Sequence, residues 1–251
     1  MGKIIMSGIV SKLTAPVTGE PIGNLTIGDS VYLNIAGVLT EFIIVNQGIP
    51  VNATDHYDTS CNGTWLLMKD IYTSMAMVSS ESEVAYNNTN VHNYLTNEFF
   101  GLLGEKEQSA VKTVKVPYVA GTEPTANAQK YGANGLSVKF FCLDKLEVGA
   151  INVASTMGIS YGGKLDYFLS SGTDGNAERR IANLNGTATA WWLRDQASLK
   201  DVGYSYHYIV TAAGSVASNS SDSASRGIRP ACIVSTDTRI TINNDGINVF
   251  V

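Results

Sequence analysis

Apolar positions recur along this chain with two different periods. Val31, Leu33 and Ile35 are apolar at every second position, Gly37 permits a turn, and Phe42 to Val45 form an apolar run. That pattern predicts a β-hairpin opening a globular body. The stretch TWLLMKD, Thr64 to Asp70, is a further short strand. From Asn90 the period changes. Val91, Leu95, Phe99 and Leu102–Leu103 fall at helical spacing, with Asn90 as N-cap and Gly104 as stop. The spacing predicts one main helix near residues 91–103. EKEQSAV adds a helical turn, VKTVKVPYV alternates as a strand and VKFFCLD is a buried strand. KLEVG follows as a short helix, with Asp144 and Glu147 as its acidic start, and NAERRIANL is a short helix or turn.

The remainder returns to strand. TAWWLRD is one strand, and YSYHYIVTAAGSVAS is a hairpin turning near Ala213–Gly214. GIRPACIVS follows, then TRITINNDGINVFV, a hairpin bending at Asn244-Asp245-Gly246. Helix lies in the first half and strand in the second, so the class is strand-rich α+β, not alternating βαβ. Residues 1–27 contain Gly2, Gly8, Gly19, Gly23, Pro16 and Pro21 around the short apolar stretch KIIMSGIV. They read as an N-terminal assembly arm that packs on another chain, and residues 28–251 as one domain.

Composition narrows the function classes. Apolar residues make up 44% and charged residues 16%, enough to bury a core. The net charge of -5, without any Lys/Arg run, argues against nucleic acid as a partner. No apolar run reaches the roughly eighteen residues of a membrane span, so membrane insertion is not expected. The N-terminal stretch lacks a signal-peptide pattern, which implies synthesis in a cytoplasm without standard export. Cys61, Cys142 and Cys232 are odd in number and widely spread, so they are not a disulfide framework. His56, His92 and His207 stand apart from any second ligand at metal spacing. No nucleophile elbow, phosphate loop or zinc motif occurs, and NNDG is a turn rather than a calcium loop. Catalytic residues, metals and cofactors are therefore not expected.

The double tryptophan changes the picture. In a strand, Trp191 and Trp192 point to opposite faces, so one plugs the core while the other covers a second layer or lines a site. Arg194 and Arg229 read as structural, bracing loops through carboxylates or carbonyls. Between them the chain is rich in Ser and Ala and carries Tyr204, Tyr206 and Tyr208 at alternate positions. Tyrosines among small polar residues are the composition of paratopes. The expected ligand-binding residues are Tyr204, Tyr206, His207 and Tyr208, ringed by Asp195, Ser198, Lys200, Asp201, Asn219, Asp222 and Arg226.

The segments WWLRD and GIRPAC resemble the W-W-L-R-S and G-V/I-R-P-A signature of a family of domains abundant in gut bacterial and phage genomes. IGDSVYLNIAGVLTEFIIVNQG, WLLMKD, VHNYLTNEFFGLL and VKFFCLDKLEV resemble further segments of it, over roughly residues 27–235. This chain has Asp195 where that family carries Ser, and Cys142 and Asp144 vary its F-L-L-S element. The resemblance implies a C-type-lectin-like fold, related to formylglycine-generating enzymes and similar to the variable proteins of diversity-generating retroelements. It implies a display protein of a virion, in tail, fibre or head decoration. Residues 195–226 would bind a host-surface protein or glycan, and the arm would hold other virion proteins in a homo-oligomer. The alternatives are a purely structural virion protein and an oxidase of the formylglycine-generating type.

Overall fold

The computed structural model describes residues 19–79, 85–120, 129–150, 162–169, 177–198, 206–220 and 225–251. Two sheets carry the architecture. The larger runs, in spatial order, Glu20–Pro21, Arg239–Ile242, Asn248–Phe250, Ser30–Ile35, Val38–Gln47, Thr64–Met68, Ala231–Val234 and Phe140–Phe141. The smaller runs Val216–Ser220, Tyr206–Val210, Trp191–Ser198, Arg226–Ile228 and Thr73–Met75. Neighbours are antiparallel except at Val249 beside Tyr32 and Trp191 beside Gly227. The expected hairpin at the start of the body forms, with Ala36 and Gly37 both at positive φ in its turn. The mixed, strand-rich α+β class is what the fold shows.

The central strands are buried on both faces, and this explains their unbroken apolar runs. Leu66 and Met68 enter one hydrophobic core with Phe42, Phe99, Trp192 and Cys232. Trp65 and Leu67, from the same strand, enter a second core with Val45, Phe141, Trp191 and Ile233. Alternation along one strand thus feeds two cores rather than separating core from solvent. The GIRP stretch is the crossing between sheets. Arg226–Ile228 belongs to the smaller sheet and Ala231–Val234 to the larger. Arg229 and Pro230 carry the chain across, and the Pro230 carbonyl accepts the Met68 N–H at 2.9 Å.

Three expectations are corrected. The main helix spans Asn90–Asn97 and its cap is Thr89, whose side chain accepts the His92 N–H. Beyond Glu98 the backbone tightens into a 3-10 turn, Phe99–Leu102. That turn buries Phe99 edge-on against Tyr72 at 4.9 Å and Phe140 at 5.0 Å. The 145–149 segment is a turn rather than a helix. Asp144 and Glu147 each accept the other's backbone N–H, at 2.7 and 2.9 Å, and Gly149 at φ 76° ends it after one turn. Residues 19–27 pack on their own body. Glu20–Pro21 pairs with Arg239–Ile240, Ile22 is buried, and the Ile22 N–H donates to the Thr238 carbonyl. Residues 1–18, the rest of the expected arm, lie outside the described residues.

Candidate functional site

The frame comes first, because it decides which side chains remain for a ligand. Both tryptophans are fully buried, one in each core. An indole in a core needs a partner for its N–H. Trp191 Nε1 donates to the Arg180 carbonyl at 3.0 Å and Trp192 Nε1 to the Met75 carbonyl at 2.9 Å. Arg229 lies 5.1 Å from the Trp191 ring and donates to the carbonyls of Met68 and Arg180. Burial pulls its pKa down to about 10.

Arg194 is buried with every donor used. Nε donates to the Pro117 carbonyl and Nη1 to the Cys142 carbonyl. Nη1 and Nη2 clasp Glu147 at 2.5 and 2.6 Å, and Nη2 also reaches Asp144 at 2.8 Å. Tyr57 donates its hydroxyl to Glu147 at 2.8 Å and accepts the Gly163 N–H at 2.9 Å. Two carboxylates thus share one guanidinium. Burial, and then the charge of Glu147, hold the Asp144 carboxyl well above the usual carboxylate range. A β-carbon at Gly162 would overlap the Asp144 carboxylate, so the glycine belongs to the packing of this cluster. Acid pairs can serve general acid–base chemistry. This pair has zero side-chain exposure and is bound to Arg194, which fits it for bracing the 142–150 and 162–168 segments against the double-tryptophan strand.

The residues expected on the binding face divide three ways. Lys200, Asp201, Tyr204 and Asp222 lie outside the described residues, as does the side chain of Ser198. Asp195, His207 and Tyr208 are buried, which corrects their placement on an outer face. Asp195 accepts the Lys145 N–H at 2.6 Å, and Tyr208 lies beneath the Lys145 ammonium, 4.7 Å from its ring. Tyr206 and Tyr208 do share a face, but that face turns toward the second core. The sheet is covered on both sides here, so alternation does not mark an outside. Tyr206, Asn219 and Arg226 are half-buried and within reach of solvent.

Sequence reasoning missed Gln196. Its backbone pairs with His207, which pairs with Asn219, so the three side chains share one face. Arg226 reaches this strip, donating from Nη2 to Asn219 Oδ1 at 3.3 Å and from Nη1 to the Ser225 carbonyl at 3.2 Å. Register pairing, which needs the hairpin and the bulged double-tryptophan strand together, is the only signal for the strip.

His207 gives this face a pH signature. Burial pushes its pKa down to about 3. Below the ordinary value of about 6.5 the unfolded chain binds a proton that the folded chain refuses. The stability held by neutral His207 is therefore complete above about pH 6.5 and falls as the pH drops toward 3. Between pH 7 and pH 5 the loss is about 2 kcal/mol. Urea unfolding of the wild type and His207→Gln at both pH values should show this difference. Parallel pH profiles would refute it.

A family model described as a domain of unknown function (DUF6273) matches residues 62–236, more than half of the chain. The chain belongs to the DUF6273 family. No curated protein and no solved structure matches it. The DUF6273 match covers the whole smaller sheet and, of the ionic cluster, Arg194, Asp144 and Glu147. Tyr57 joins that cluster from outside the match. The Ser30–Ile35 and Val38–Gln47 hairpin and the two C-terminal strands also lie outside it, yet they complete the larger sheet.

All three cysteines are buried thiols. Burial raises Cys61 and Cys142 to about 12 and raises Cys232 as well. Cys142 and Cys232 share the first core and Cys61 sits in the second. Among the described residues no group of three His, Cys, Asp or Glu is placed to hold a metal ion, and no helix is long and apolar enough to cross a membrane.

Proposed function

We propose that this chain is a recognition module, not an enzyme, and that its ligand meets the smaller sheet at Arg226, Asn219 and Tyr206. The observation that carries this reading is Arg226. The residue is half-buried, and its guanidinium has no carboxylate within ion-pair distance among the described residues. Its hydrogen bonds, at 3.2 and 3.3 Å, are long for a charged donor. Arg194, by contrast, spends every donor inside the fold. The frame stands without Arg226, which leaves a planar, two-pronged donor for an incoming oxygen acid. An acidic glycan or an acidic patch on a protein is the chemical class that matches it.

Buried thiols with raised pKa values and a carboxylate pair bound to Arg194 support the non-enzymatic side of the reading. A host-surface ligand and a virion location rest on the sequence resemblance, as does a C-type-lectin-like identity for the fold. The test uses immobilised glycans carrying sialic or uronic acids beside their neutral counterparts. The wild type should be retained on the acidic set. Arg226→Ala and Asn219→Ala should still fold and melt within a few degrees of the wild type, since neither side chain belongs to the buried frame. Arg226→Ala should weaken retention by about 2 kcal/mol, roughly thirtyfold. Retention that ignores either the acid groups or Arg226 would overturn the reading.

A further inference from the structure

The outer strands of the two sheets are unequal. Glu20–Pro21 and Phe140–Phe141 close the larger sheet with two residues each, and Thr73–Met75 closes one side of the smaller with three. Val216–Ser220 closes the other side with five. Natural sheet edges are guarded by shortness, charge, proline, bulges or cover, because an open edge templates another strand. The sequence VASNS has neither charge nor proline. Its register with Tyr206–Val210 is unbroken, and Ser218 is exposed.

The direction of its free groups follows from the turn. Thr211 N–H donates to the Ser215 carbonyl at 2.8 Å, which marks that pair as hydrogen-bonded. In an antiparallel ladder such pairs alternate. Ile209 with Ala217 and His207 with Asn219 are therefore the next bonded pairs. Val216, Ser218 and Ser220 then aim their N–H and C=O groups away from the sheet. The hairpin holding them is anchored at its tip, where Arg180 Nη1 donates to the Gly214 carbonyl at 3.1 Å.

We propose that this edge pairs antiparallel with the same edge of a second copy, joining two small sheets across a two-fold axis at Ser218. The outward phase dictates that register. Ser218 exchanges two hydrogen bonds with its own copy, and Val216 and Ser220 exchange bonds with the copy's Ser220 and Val216. Ala217 then faces the copy's Asn219. Val216–Ser220 carries no charged side chain, so pairing it with itself sets no like charges of the two strands against each other, which is why a second copy fits this edge. The inference stands on edge geometry and does not rest on the recognition reading. If both hold, the dimer presents two Arg226 faces on one assembly.

The test uses the full chain. Sedimentation over a wide concentration range should show a dimer. Ser218→Cys should form a disulfide-linked dimer under mild oxidation, because Cα atoms about 5.5 Å apart lie within bridging range. Ser215→Cys, off the axis, should not. The three native thiols are buried and silent. Ser218→Lys places two ammonium groups at the axis, and it should weaken association at least tenfold while far-UV circular dichroism and melting stay unchanged. A monomeric wild type would overturn the proposal, as would a dimer that Ser218→Lys leaves intact or equal cross-linking through Ser215→Cys.

Discussion

Arg194→Met should lower folding stability by about 3–5 kcal/mol, the range seen when one partner of a buried ion pair is removed. Methionine fills the same space, so packing is largely retained and the loss reports the charge. Asp144 and Glu147 would then face each other without a cation, and Cys142 and Pro117 would keep unpaired carbonyls in the interior. Natural domains hold only about 5–15 kcal/mol, so the variant should unfold at far lower urea and melt about 10 °C earlier or more. Adding Asp144→Asn and Glu147→Gln removes the stranded charges while keeping hydrogen-bonding groups. It should recover part of the loss. A single variant that melts like the wild type would show that the cluster is dispensable. A triple variant no better than the single one would show that the loss is one of packing.

Trp191→Ala should be about as severe, at about 3–5 kcal/mol. The indole is fully buried in the second core, and its loss opens a cavity between two segments already braced elsewhere. It also strips Arg229 of the ring it lies against and the Arg180 carbonyl of its closer donor. Trp191→Phe separates these effects. It keeps an aromatic face near Arg229 but no N–H, and should retain more than half of the stability that the alanine variant loses. Thermal and urea unfolding of the pair give the comparison. Equal losses would mean that the indole hydrogen bond, not volume, holds the site. A small loss in both would mean that the core closes around the gap.

Much of the fold was legible because its signals are local. The turn at Ala36–Gly37, the hairpin around Gly214 and the bend ending at Gly246 all need positive φ, which glycine supplies without strain. The adjacency of Trp191 and Trp192 placed one on each face of a strand, and only the structure showed that both faces are buried. The helix start near Asn90 followed from its spacing. Its end did not, because Phe99 leaves the helical path for a contact with Phe140, forty-one positions away, that no local pattern records.

The candidate site was less legible, and the reason is the same in each case. Sequence alone determined that Tyr206 and Tyr208 share a face, but only the assembled sheets decided that the face is inward. A charged Asp144 followed by Glu147 reads as a solvated helix start unless Arg194 is known to arrive from fifty residues on. The sequence determined the periods, the turns and the chemistry available to each strand, because these depend on neighbours along the chain. The tertiary structure decided which charges are spent inside, which tyrosine face turns inward and which strands end each sheet. Those outcomes depend on what other segments bring within a few ångströms of each side chain.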